Sequence, residues 1–343
     1  MTLLRRTGIM ATVVVAAISG GALPGRASGG GPGKGTIFFT VASRNGDSSH
    51  VFSVTPDGTD LRQVTHGRSN EGSPLVSPNG RKIAFGRGRK LWVTDAGGGH
   101  KHRLTGGHGA ELAFAWSPDG RRIAYQTADR QGRGLLRTVT LNGHVRRLTK
   151  RRSVIGGVAW SPDGRHIAMS IEIDKNGNFE LFTMDRRGSH KHRVTHDPGL
   201  DISPTWGPRG IVYEHASAHS PSSSLRLKRI GHKPVKFIHF KHARPELAQF
   251  SPDGSRVAFM RCLGTVCPLD AVRATGGGLH EIYPDDSTGG YAWAPDSRNV
   301  VISSERHKPP RDNELYVCRA GGGACDRLTR DRANEFAPSW GPK

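Results

Sequence analysis

Ala115-Trp116-Ser117-Pro118-Asp119-Gly120-Arg121-Arg122-Ile123-Ala124-Tyr125 reads as strand, tight turn and strand. Pro118 presets φ for the second position of a type I turn, Asp119 can bond its own backbone, and Gly120 tolerates the exit geometry. Trp116 before the turn and Ile123-Ala124-Tyr125 after it suit strands. The stretch recurs: Val76-Ser77-Pro78-Asn79-Gly80 runs into Ile83-Ala84-Phe85, and Trp160-Ser161-Pro162-Asp163-Gly164 into Ile167-Ala168-Met169. Trp206-Gly207-Pro208-Arg209-Gly210 and Phe250-Ser251-Pro252-Asp253-Gly254 follow, with weaker copies at Trp293-Ala294-Pro295-Asp296-Ser297 and Trp340-Gly341-Pro342.

The residue before each turn falls at 76, 116, 160, 206, 250, 293 and 340, in steps of 40 to 47 residues. A period of roughly 40 to 45 residues with about four strands per unit marks a β-propeller blade. One such unit cannot bury both faces of its sheet, whereas a closed ring can, and the ring protects the sheet edges. Low aromatic content and the lack of a long periodic apolar helix argue against an α/β chain.

The second half of each repeat is regular too. Leu91-Trp92-Val93-Thr94-Asp95 leads to Arg103-Leu104-Thr105, Leu181-Phe182-Thr183-Met184-Asp185 to Arg193-Val194-Thr195, and Leu315-Tyr316-Val317 to Arg327-Leu328-Thr329. This pattern resembles the TolB-type propeller repeat, a relative of the WD repeat, over nearly all of the chain after residue 35. The resemblance implies an all-β propeller and, for TolB itself, six blades and an additional N-terminal domain; it concerns the propeller part only. Propellers host many activities, so it is far less informative about function.

Residues 1–27 read as a signal peptide, with Arg5 and Arg6 ahead of the apolar run Gly8 to Ile18 and small residues suiting cleavage after Ala22 or Ala27. Residues 28–35 form a flexible Gly-rich linker, and 36–343 the propeller. Ile37-Phe38-Phe39 continues a repeat that has no opening, and Asn334 to Pro342 opens one that has no continuation. The two ends therefore complete one blade, which makes seven four-stranded blades, or six on the family pattern. The expected location is secreted or periplasmic, with no transmembrane segment after cleavage, as a monomer.

Cys262 with Cys267, and Cys318 with Cys325, form two local pairs across hairpins, and export favours disulfides over a metal site. The net charge of +21 falls to about +18 when Arg5, Arg6 and Arg26 leave with the signal. Such a surface favours polyanions, here an anionic cell-envelope polymer, with no signal for specific nucleic acid. Its densest run holds Arg226, Lys228, Arg229, Lys233, Lys236 and Lys241. The other reading of this run is the solvated outer strands of one blade.

Five residues before the turn residues stand Glu71, Glu111, Asp201 and Glu335, with Glu246 one place off. On the family pattern these begin the innermost strands, so they would ring one mouth of the channel and attract a cation, an amine or a basic peptide; TolB-like propellers bind partner peptides at the channel. Alternatively, each acid tightens its own loop or pairs with a neighbouring Arg. His100-Lys101-His102 and His190-Lys191-His192 alternate as zinc ligands do, but belong to outer hairpins. Asp174-Lys175-Asn176-Gly177-Asn178 lacks full calcium-loop spacing and already reads as a hairpin turn. No Gly-x-Ser-x-Gly elbow is present. The sequence thus points to a non-catalytic binding module for protein or peptide, needing no cofactor. The alternatives are a channel-mouth glycosidase or lactonase using Glu71, Glu111, Asp201 and Glu335, or an anionic-polymer-binding scaffold.

Overall fold

The computed structural model describes residues 33–343 except 44–46, 107–109, 151–152, 175–176, 218–222, 286–288, 306–311 and 331–332. The signal segment and residues 28–32 of the linker lie outside the described residues. Gly35, just before the first strand, is buried, with φ +121°. A Cβ there would lie 2.1 Å from the Gly341 carbonyl.

The chain is all-β, and each repeat runs from an inner strand outward through three hairpins. In the unit of the quoted stretch the strands are Ala110–Trp116, Arg122–Ala128, Leu136–Thr140 and Val145–Arg147, antiparallel and in sequence order. The inner strand is broken once by a bulge. Ser73, Ser203, Leu247 and Ala337, each three residues before the turn residue, adopt φ between 51° and 55° there.

The second strand is buried on both faces, and its side chains alternate between two neighbours. Ile123 and Tyr125 pack into the core shared with the preceding unit, and Ala124 into the core shared with the following one. The Trp of the following unit meets the small middle residue: Trp116 shares a core with Ala84, Trp160 with Ala124, Trp206 with Ala168, and Trp293 with Ala258. At one interface the sizes are exchanged, and Phe38 faces Val76. Among the described residues seven apolar clusters form, each drawn from two successive units.

The ends of the chain meet as their fragments suggest. Thr36–Ala42 pairs antiparallel with Asn334–Gly341, Ile37 opposite Trp340 and Ala42 opposite Asn334. The expectation of seven separate blades, or six, is corrected. Five four-stranded sheets stand apart, and the other strands join in one eight-stranded sheet. The join is a parallel bridge between Phe179 and Leu200, where the Phe179 N–H donates to the Gly199 carbonyl.

The repeated motifs have local causes. The Ser117 hydroxyl donates to Asp119 at 2.5 Å, and Asp119 accepts from the Arg121 N–H at 3.0 Å, so the turn is closed by its own side chains. Ser77 with Asn79, Ser161 with Asp163 and Ser251 with Asp253 repeat the pattern. In the Arg-Leu-Thr segments, the Thr hydroxyl accepts from an N–H near the start of the third strand, as Thr105 does from Leu91 at 3.1 Å and Thr329 from Leu315 at 3.0 Å. The sulfurs of Cys262 and Cys267 are 2.10 Å apart and those of Cys318 and Cys325 2.04 Å, so both local pairs are joined.

Candidate functional site

The inner strands start at the acids and end at the Ser-Pro-Asp-Gly turns, so the two features lie at opposite ends of the ring. The acids do not stand as a ring of free carboxylates. Glu71, Asp201 and Glu335 are no more than 1% exposed, and each is engaged locally. Glu71 takes Lys101 Nζ at 3.1 Å and Arg87 at 3.2 Å. Glu111 accepts from the Leu91 N–H at 2.8 Å and from the Thr105 hydroxyl. Asp201 lies 2.6 Å from His215 Nδ1, and Glu335 takes the Thr329 hydroxyl. The physical reason is desolvation: an unpaired buried carboxylate is costly, so each is held by a hydroxyl, an imidazole or a cationic side chain nearby.

Glu246 differs. Its side chain is 37% exposed and pairs with the more exposed Arg244 at 3.1 Å. Close by is Glu214, in the second strand Gly210–Ala216, at the place that Thr40, Ser170 and Ser303 take in other units. Those positions bond the next inner strand through a hydroxyl: Thr40 accepts from the Ser73 N–H, and Ser303 donates to the Glu335 carbonyl. Glu214 does so as a carboxylate, accepting from the bulged Leu247 N–H at 2.8 Å. Burial, and then the nearby Glu246, push its carboxyl up to about 8. Sequence reasoning missed Glu214. Its signal is an acid directly after Ile211-Val212-Tyr213, where other repeats place Ser, Thr, Gln, Gly or Met.

Two further acids were missed. Glu180 and Glu314 are buried at the starts of third strands. Glu180 takes Arg193 at 2.7 Å, and Glu314 takes Arg327. These arginines belong to the Arg-x-Thr segments and also donate to the Thr195 and Thr329 carbonyls, at 2.9 Å each.

The basic run is split by its strand. Arg226 turns inward beneath Tyr213 and pairs with Asp197 at 2.5 Å, whereas Arg229, Lys233, Lys236 and Lys241 are exposed. Lys228 is half-buried, and its Nζ donates to the His232 carbonyl. His100 lies 2.5 Å from Asp95, and His190 3.1 Å from Asp185, each completing an outer hairpin. Among the described residues no three His, Cys, Asp or Glu side chains gather as metal ligands do. The Asp174 loop falls partly outside the described residues; Asp174 Oδ1 accepts from the Asn178 N–H at 3.2 Å. No helix among the described residues is long and apolar enough to cross a membrane.

Fold and site together define a β-propeller whose blades are built on Ser-Pro-Asp-Gly turns and clamped by Arg-x-Thr segments. The chain belongs to the TolB beta propeller domain family, whose profile matches residues 89–282. The Tol-Pal system protein TolB of Anaeromyxobacter dehalogenans (strain 2CP-C) is 29% identical over 160 residues, 44% of this chain and 36% of that protein. The chain thus matches about a third of the length of that curated relative. Among solved structures, TolB from Acinetobacter baumannii superposes with a TM-score of 0.58 at 17% identity, covering 86% of this chain and 79% of that one. An oligogalacturonate lyase in complex with manganese superposes at 0.67 with 14% identity, covering 82% and 85%. At such identities both likenesses concern the fold alone.

Proposed function

We propose that this chain is an extracytoplasmic, non-catalytic binding module. On this reading it recognises a protein or peptide of the cell envelope at the end of the ring where the inner strands begin. The observation that carries the reading is the contrast among the acids at that end. Glu71, Glu111, Asp201 and Glu335 are committed to internal partners, whereas Arg244 and Glu246 present an accessible pair, 70% and 37% exposed. A rigid rim with a few accessible charges suits preorganised recognition, and the four committed acids are not free to serve as the carboxylate pair that glycoside hydrolysis uses. Membership of the TolB beta propeller domain family and two local disulfides agree with work outside the cytoplasm. An anionic polymer held on Arg229, Lys233, Lys236 and Lys241 would be an auxiliary contact.

The test is retention of proteins from an envelope extract on the immobilised chain, with Arg244→Glu/Glu246→Lys as the variant. A partner retained by the wild type and lost by a variant of equal melting temperature supports the reading. Identical partners for both proteins would remove this end of the ring as the recognition surface.

A further inference from the structure

A groove of about 560 Å³ opens on the opposite face, between the 110–147 unit and the 155–193 unit. Arg122, Thr138, His144 and Arg146 line it from one side, and Arg186 and Arg187 from the other. Several arginines elsewhere are matched to buried acids, as Arg87 is to Glu71, Arg193 to Glu180, Arg261 to Asp270 and Arg327 to Glu314. Arg146, Arg186 and Arg187 are exposed and have no ion pair among the described residues. Asp163 and Asp185 border an adjoining hollow, but both are engaged. Asp163 takes the Ser161 hydroxyl and the Arg165 N–H, and Asp185 takes His190 and the N–H groups of Arg187 and Ser189.

The groove has a cause in the repeat. The Arg186 N–H donates to the carbonyl of Arg165, the residue after its turn glycine. Ala96, Ala274 and Ala320 make the corresponding bond, to Arg81, Ser255 and Arg298, and so hold the same place in their units. Ala274 and Ala320 are 2% and 0% exposed and are part of the core between blades. A guanidinium cannot be buried there without a counter-charge. Arg186 instead lies out in solvent, and the wedge that alanine fills elsewhere stays open. The approach of the two units is otherwise tight, since a Cβ on Gly188 would lie 2.8 Å from the Leu148 carbonyl.

We propose that this groove binds a ligand bearing two or more phosphate groups. Guanidinium forks pair bidentately with oxyanions, and two linked phosphates offer tetrahedral oxyanions to forks arriving from both walls at once, where a planar carboxylate meets one fork. The proposal is independent of recognition at the other end of the ring.

Calorimetric titration of the whole chain with inorganic tripolyphosphate in 0.15 M NaCl tests it. The variant is Arg146→Gln/Arg186→Ala/Arg187→Gln; alanine at 186 reproduces the other blades, so the fold is expected to persist with an unchanged melting temperature. The expected result is saturable binding by the wild type and at least tenfold weaker binding by the variant. An Arg229→Gln/Lys233→Gln/Lys236→Gln control is expected to bind as the wild type does. Absence of wild-type binding, equal binding by the triple variant, or an equal loss in the control would overturn the proposal. So would equally tight binding of polygalacturonate through the same arginines, which would make the site one for carboxylates. A poly(glycerol phosphate) arm identifies the source: tighter binding than tripolyphosphate assigns a phosphodiester polymer, weaker binding a free phosphorylated compound.

Discussion

The indole nitrogen of Trp116 donates to the carbonyl of Leu75, in the preceding unit, at 2.8 Å. Trp160 does the same to Ala115, and Trp293 to Gln249, each at 3.2 Å. The tryptophan ahead of the turn therefore stitches one blade to the inner strand of the one before. Trp116→Phe keeps an aromatic in the core but leaves the Leu75 carbonyl without this donor. The expected loss is about 1–3 kcal/mol in a urea titration; a change below about 0.5 kcal/mol, the usual size for neutral surface changes, would show that the bond adds nothing.

Phe38 and Val76 share a core in which the large residue sits on the second strand and the small one on the inner strand, the reverse of Ala84 with Trp116. Val76→Trp alone overpacks this interface and is expected to cost about 1–3 kcal/mol. Phe38→Ala alone opens a cavity and is expected to cost about 3–5 kcal/mol. The double substitution recreates the arrangement of the other interfaces, so its cost is expected to fall well below the sum of the single costs. A double-mutant cycle measures the coupling directly, and additive losses would refute this account of volume exchange.

Glu71 is buried against Lys101 and Arg87, whose side chains are 23% and 27% exposed. Glu71→Gln strands two cations that retain some water, so the expected loss of stability is about 1–3 kcal/mol, less than for a wholly buried pair. Partner retention, once measured, is expected to be unchanged at a temperature where the variant is folded. Loss of the partner without loss of stability would return this acid to the binding surface.

Glu214 is held at about 8 by burial and by Glu246, above the ordinary carboxylate value of 4.5. The folded chain therefore binds a proton that the unfolded chain releases between these values. The contribution is full below about pH 4.5 and is lost as pH rises through about 8. Because the side chain keeps partial access to water, the loss is put at about 2 kcal/mol rather than the full shift. Urea midpoints at pH 5, 6.5 and 8 are expected to fall more steeply for the wild type than for Glu214→Gln. Parallel pH profiles would show that Glu214 titrates alike in both states.

The arrangement of strands was largely legible because its causes are local. Ser117, Pro118, Asp119 and Gly120 close a turn with their own atoms, and Ile123-Ala124-Tyr125 announces a strand buried on both faces. The acids were legible as a pattern but not as a function. Whether Glu335 faces a ligand or the Thr329 hydroxyl depends on which groups desolvate it, and spacing alone does not contain that.

By itself the sequence determined the repeat, its phase, the turn chemistry and the pairing of the two ends, since contiguous residues and a period of two carry all of these. Tertiary structure decided the rest. It matched Phe38 to Val76, joined two groups of strands through Phe179 and Leu200, turned Arg226 inward to Asp197 and left Arg186 facing an open wedge. These outcomes depend on partners roughly 20 or more residues distant, whose packing and desolvation are settled only when one blade meets the next.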